Sequence, residues 1–111
     1  MKSRILKTLT QWFPNAFSDI NIENFHSDYE VLRAFSGYTL NLIVHNDERM
    51  REPFKIINIL YLNGNLHDKN AIENEFFGCL SQIESPGSLK EHLELMPESL
   101  KPIYLKTILE N

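Results

Sequence analysis

The stretch FKIINILYLNGNLHDKNAIENEFFGCL, residues 54–80, decides the fold. Its first part is apolar over most of a helical circumference, which is typical of a central, buried helix. The run Asn63-Gly64-Asn65 then ends that helix, and we expect Gly64 to take the left-handed conformation common after a helix. Asp68 is the expected cap of the next helix. The apolar side of this next helix consists of Ala71, Ile72, Phe76, Phe77, Cys79, Leu80 and Ile83.

Helical spacing continues towards the N-terminus. Ser3 and Pro14 are the expected start and end signals of a first helix. Its buried stripe at i, i+1, i+4, i+7 and i+8 consists of Ile5, Leu6, Leu9, Trp12 and Phe13. Residues 15–26 look irregular. Ser27 and Glu30 then fit a capping box, which predicts a long helix running towards His45. Residues 38–44 have the composition of a strand, but helix is favoured because no second strand signal could pair with them.

The remaining segments also predict helices. Glu52 followed by Pro53 is typical of a cap and a first helical residue. Residues 88–91 repeat the capping-box pattern, and a last helix should start near Ser99, with Pro102 in its first turn. The prediction is an all-α single domain over residues 1–111, with five to six helices packed as antiparallel pairs. Helix pairs stacked in a short superhelix are also compatible with the pattern.

Composition limits the classes of function. The 111 residues suffice for one domain, and 42% hydrophobic with 23% charged residues is ordinary for a globular protein. Eleven Lys and Arg against 15 Asp and Glu give a net charge of -4, which argues against nucleic-acid binding. A single Cys excludes an intrachain disulfide. The chain has neither a secretory leader pattern nor an apolar run approaching the roughly 20 residues of a membrane span. We therefore expect a cytoplasmic protein.

The sequence holds few signs of chemistry. HExxH, CxxC, GxGxxG and P-loop patterns do not occur, so we expect no metal, no cofactor and no enzymatic activity. Cys79 lies on an apolar helix face and is expected to be a small buried hydrophobe. Structural or surface roles are expected for the four widely spaced histidines, His26, His45, His67 and His92. Acids are concentrated in two blocks, residues 19–48 and 67–98, which could be solvated helix faces or could attract a basic partner.

The central stretch resembles a known family. An apolar helix, a Gly-centred turn, the run Asn70-Ala71-Ile72 and a second apolar helix ending in Phe77 and Leu80 resemble small bacterial all-α proteins encoded beside polymorphic toxins. These are the immunity proteins of contact-dependent growth inhibition and related systems. The tail LMPESLK, residues 95–101, is also similar to theirs, and the likeness covers about residues 28–105. The chain departs from the family at Gly78, where members often carry Glu.

The resemblance implies a cytoplasmic antidote. Such a protein is a monomer that forms a heterodimer with the C-terminal domain of its cognate toxin, here a basic nuclease such as an RNase, and covers its active site. Acids would pair with the toxin's substrate-binding Lys and Arg, and tyrosines would anchor the interface. The residues predicted to bind the toxin are Asp28, Tyr29, Glu30, Asp47, Glu48, Glu52, Glu73 and Glu75. A helical adaptor for another protein and a small enzyme are the alternatives.

Overall fold

The computed structural model describes residues 3–110, and within them all regular structure is helical. The fourth helix, residues 66–82, is continuous but consists of α-helical Leu66–Ala71, π-helical Ile72–Phe77 and α-helical Gly78–Gln82. We number it α4. The other helices are α1 Arg4–Trp12, α2 Asp28–Val44, α3 Glu52–Leu62, α5 Pro86–Glu94 and α6 Lys101–Glu110, with short 3₁₀ turns at Pro14–Phe17 and Ile22–Asn24. The all-α prediction is confirmed, and residues 38–44 belong to α2 rather than to a strand.

Aromatic rings connect the helices through the core. Phe35 of α2 lies between Phe13, 5.0 Å away by ring centroids, and Phe76 of α4, 5.8 Å away. Phe76 contacts Phe77 at 5.4 Å, and Phe77 contacts Tyr104 of α6, also at 5.4 Å. Pairs of this kind contribute about 1 kcal/mol each beyond the area that they bury. The chain of rings therefore fixes the end of α1, α2, α4 and α6 against one another.

The π-helical segment Ile72–Phe77 forms the middle of α4, which packs most extensively against α2. Within it, Phe76 and Phe77 are consecutive and both fully buried. π-Helical turns are rare and carry one more residue per hydrogen-bonded turn than an α-helix. The helical period of the sequence predicted a single regular helix here, so the π-helical turn is a feature that the pattern did not indicate.

The predicted N-caps of α1 and α2 are confirmed. The Ser3 hydroxyl accepts a hydrogen bond from the Leu6 N–H at 3.1 Å, and the Ser27 hydroxyl accepts one from the Glu30 N–H at 3.4 Å. The second hydrogen bond of the predicted capping box, from the Ser27 N–H to the Glu30 carboxylate, is wrong. This carboxylate accepts instead from the His26 N–H, at 2.9 Å. The sequence therefore predicted both N-cap residues correctly, and the donor to Glu30 lies one residue before the predicted one.

The turn before α4 differs from the prediction in two ways. Asn65, not Asp68, is the N-cap, and the two form a reciprocal capping box. Gly64 does not have a positive φ; among described non-glycine residues the left-handed one is Asn46. Gly64 is required for space instead, because an added Cβ would lie 2.7 Å from the Asp68 Cβ and from the Leu60 carbonyl oxygen.

Two other helices begin one to three residues before their predicted starts. The capping box of α5 begins at Ser85 rather than Ser88, since the Ser88 hydroxyl accepts from the Ser85 N–H at 3.1 Å. Helix α3 already includes Glu52, so Arg51 is its N-cap.

Cys79 is half-buried rather than buried. Among residues 3–110, no helix is both long enough and apolar enough to cross a membrane.

Candidate protein-binding site

The predicted acids at the start of α2 are engaged within the chain. Asp28 is only 6% exposed; it accepts a hydrogen bond from the Ser3 hydroxyl, and its Oδ2 lies 3.0 Å from His67 Nε2. Tyr29 is half-buried, with its ring 6.2 Å from the His67 ring. The Glu30 carboxylate accepts a hydrogen bond from the His26 N–H. These three residues hold the N-terminus of α2 in place, and each is at most partly accessible.

The predicted acids of α4 are also paired. Arg33 donates two hydrogen bonds to the Glu75 carboxylate, at 3.2 and 3.0 Å, and this carboxylate raises the pKa of the guanidinium. Glu73 accepts from the Tyr61 hydroxyl and has Lys106 Nζ at 3.6 Å. Burial, and then this hydrogen bond, raise the pKa of Tyr61 to about 12. Both acids thus connect α4 to neighbouring helices.

The remaining predicted acids lie near the other end of α2. The helix has 17 residues and is therefore about 25 Å long, so Asp28 and Asp47 belong to separate regions of the surface. Glu48 is exposed, and Glu52 makes an exposed ion pair with Lys55 at 3.3 Å within α3. Asp47 is half-buried, whereas Glu48 and Glu52 are exposed and thus more accessible than the acids at the start of α2.

A cleft beside these acids was missed by the sequence analysis. It encloses about 240 Å³ between the end of α1, the middle of α2 and the start of α3. Trp12, which the helical stripe placed in the core, lines this cleft and is 62% exposed. Its neighbour Phe13, which the same stripe placed in the core, is half-buried and contacts Phe35. The other main lining residues are Phe13, Pro14, Tyr38, Glu52 and Ile56.

Arg49 also lines the cleft, but its charge is already compensated. Its Nε and Nη2 each donate to the Asp47 carboxylate at 3.1 Å, and its backbone N–H donates at 2.8 Å. The side-chain hydrogen bond raises the pKa of Arg49 and lowers that of Asp47. The cleft therefore combines an exposed Trp, a Tyr and a fixed Arg, the residue types enriched at binding hot spots, with an acidic rim.

One further cluster has the residue types of a metal site. The ligand atoms of Asp28, His67 and Asp68 lie within 4.8 Å of one another, in a cleft of about 510 Å³. Both carboxylates have other partners, since Asp28 accepts from the Ser3 hydroxyl and Asp68 from Arg4 Nη2 at 2.6 Å. These contacts join the start of α1 to the starts of α2 and α4, which gives the cluster a structural role.

Another acid with an enclosed side chain, Glu84, lies between α4 and the last two helices. The Glu84 side chain is 5% exposed and accepts from the Tyr104 hydroxyl at 2.5 Å and from the Ser88 hydroxyl, and it lies 2.8 Å from His92 Nδ1. Burial raises the pKa of Glu84, but the surrounding donors outweigh it and hold the pKa below its ordinary value. Burial and Glu84 together raise the pKa of Tyr104. This cluster joins the C-terminal helices to α4.

The fold and the cleft define a small all-α domain with an exposed aromatic and acidic surface. The chain belongs to the family described as Domain of unknown function (DUF7674), which matches residues 6–110. No curated protein and no solved structure matches the chain.

Proposed function

We propose that this chain is a cytoplasmic immunity protein that binds the C-terminal domain of a cognate bacterial toxin, a basic nuclease, and covers its active site. The observation that carries the proposal is the cleft lined by the exposed Trp12 and Glu52, with the exposed Glu48 four residues before Glu52 in the chain. The net charge of -4 and the resemblance of residues 28–105 to immunity proteins support it.

The two acidic regions suit a partner to different degrees. Asp28 is buried and hydrogen-bonded, so a partner could recruit it only by breaking contacts that hold α1 to α2. Glu52 has one ion pair, with Lys55, in which both side chains are more than half exposed. Exposed pairs of this kind contribute less than about 1 kcal/mol. A cation on the partner could therefore replace Lys55 at little cost, and the interface is centred on the cleft.

Trp12 is the anchor of this interface. Covering its exposed 62% would remove roughly 150 Å² of mostly apolar surface from water, which stabilises a complex by about 3 kcal/mol. The acids contribute mainly to the rate of association, because opposite net charges steer two proteins together and salt screens the attraction. Trp12 should accordingly determine the lifetime of the complex, and Glu48 and Glu52 its rate of formation.

The test is co-purification with the product of the gene encoded immediately upstream, followed by an assay of whether co-expression relieves any growth arrest that this product causes. We expect Trp12→Ala to speed dissociation about 30-fold or more. The double reversal Glu48→Lys and Glu52→Lys should slow association about tenfold at low salt and increase toxicity. The matched control is the double reversal Glu91→Lys and Glu110→Lys, which changes the net charge equally at exposed acids of α5 and α6.

Several outcomes would contradict the proposal. Unchanged protection and an unchanged on-rate in the Glu48 and Glu52 variant would remove this surface from the interface. Equal losses of protection and on-rate in the control variant would show that the effect comes from the net charge and not from this surface. Formation of a complex without relief of growth arrest would reject immunity in favour of a helical adaptor, and absence of any complex would reject the toxin as the partner.

A further inference from the structure

We propose that the Trp12 cleft accepts a single arginine side chain of the partner, with the guanidinium between the aromatic walls and Glu52; this inference rests on the proposed function. The cleft encloses about 240 Å³, whereas sites for drug-sized molecules measure roughly 300–1,000 Å³. Its volume is below that range and is sufficient for one long side chain.

The walls suit a cation with a flat face. Trp12 and Tyr38 line the cleft from α1 and α2, and aromatic faces attract cations through the ring quadrupole. Phe13, Pro14 and Ile56 supply apolar surface for the aliphatic part of the side chain. A guanidinium is planar and more weakly hydrated than an ammonium, and it stacks on aromatic rings, so arginine fits these walls better than lysine.

The charges of the cleft point to the same ligand. Arg49 is held by the Asp47 carboxylate through two side-chain hydrogen bonds, so its positive charge is offset within the chain. The Glu52 carboxylate has only the exposed contact with Lys55, at 3.3 Å, among the side-chain hydrogen bonds and ion pairs of the described residues. Glu48 adds a further exposed carboxylate close by in the chain. The charged residues that line the cleft are Arg49 and Glu52, and because Asp47 offsets Arg49, the Glu52 carboxylate is the group that would meet an incoming cation.

The isolated protein provides a direct test, because Trp12 is the one tryptophan of the sequence and reports on the cleft by its fluorescence. The probes are three capped tripeptides, Gly-Xaa-Gly, in which Xaa is arginine, its neutral isostere citrulline, or leucine. We expect the arginine peptide to change the Trp12 emission saturably at millimolar concentration. The citrulline and leucine peptides should bind at least tenfold more weakly, and salt should weaken the binding of the arginine peptide alone.

Two variants identify the carboxylate. Glu52→Gln should weaken binding of the arginine peptide at least fivefold, whereas Glu91→Gln, an exposed change on α5, should leave it unchanged. Equal binding of the leucine peptide would make the cleft an apolar pocket. Lack of any emission change, or no effect of Glu52→Gln, would also overturn the inference.

The peptide titration tests the arginine site and the growth assay tests the immunity function, so either proposal can be rejected without the other. Intact protection without arginine binding would leave the immunity proposal standing and remove arginine from the cleft. Arginine binding without protection would retain the cleft as a cation site and reject the toxin as its partner.

Discussion

Glu84 and Glu52 carry the same carboxylate and illustrate two different uses of it. The Glu84 side chain is 5% exposed, with Tyr104, Ser88 and His92 around it, whereas the Glu52 side chain is 52% exposed and pairs with Lys55. A buried carboxylate persists only where donors replace its lost water, and removing it leaves those donors unpaired. An exposed one keeps its hydration and remains available to a partner. The comparison teaches that burial and donor number, rather than residue type, separate the acids of the fold from those of the cleft.

The largest expected effect comes from Glu84→Ala. It leaves the fully buried Tyr104 hydroxyl without its acceptor and takes away the partner of His92, so we expect a loss of about 3 kcal/mol in the free energy of unfolding. Urea denaturation followed by circular dichroism measures it. The control, Glu52→Ala, should change stability by less than about 0.5 kcal/mol. Equal losses in the two variants would break the comparison between the two acids.

A smaller effect is expected around Asp68, another acid that holds helices together. Gly64→Ala would place a Cβ 2.7 Å from the Asp68 Cβ and from the Leu60 carbonyl oxygen, so the capping turn must shift, at a cost of about 2 kcal/mol. Gly37→Ala is the matched control, since its Cβ would meet nothing within 4 Å and Gly37 lies inside α2. That change should raise stability by up to about 1 kcal/mol. If both variants lost stability, the Gly64 contact would not be the cause.

The smallest expected effect is the acid dependence of stability. Burial raises the pKa of Glu84, but its donors lower it further, so the folded value lies below the ordinary 4.5. The unfolded chain then binds the proton at higher pH than the folded one. The resulting stability is complete above about pH 4.5 and is lost as the pH falls through the folded pKa. The urea midpoint should therefore fall more steeply in acid for the native chain than for Glu84→Gln, and parallel curves would contradict this.

Much of the fold was predictable from local patterns. Helical spacing placed the six α-helices of residues 3–110, and Ser3 and Ser27 marked two starts correctly, because apolar stripes and caps act within a few residues. Two failures lie in the turn before α4. Gly64 was assigned the usual left-handed role, whereas it is needed for space between Leu60 and Asp68; the cap was placed at Asp68, although Asn65 three residues earlier is the N-cap and Asp68 its capping-box partner.

The candidate site was predictable only in part. Asp47, Glu48 and Glu52 lie within six residues of one another in the sequence, between the end of α2 and the start of α3, whereas Asp28, Tyr29 and Glu30 lie at the opposite end of α2. Trp12 and Phe13 were both assigned to the core because they continue the stripe of α1, yet α1 ends at Trp12, and of the two only Phe13 packs against the core. The cleft unites three helices, and no spacing within one helix could indicate it. The toxin-binding role of the eight predicted residues stays a prediction.

The sequence by itself determined the helical class, the helix order and the acidic balance, because periodicity, caps and charge are properties of short segments. Tertiary structure alone decided which acids are buried, where the π-helical turn lies and that Trp12 faces solvent. These depend on the distances between residues far apart in the chain. Packing also determines how much water each carboxylate retains, and hence whether it stabilises the fold or stays available for binding.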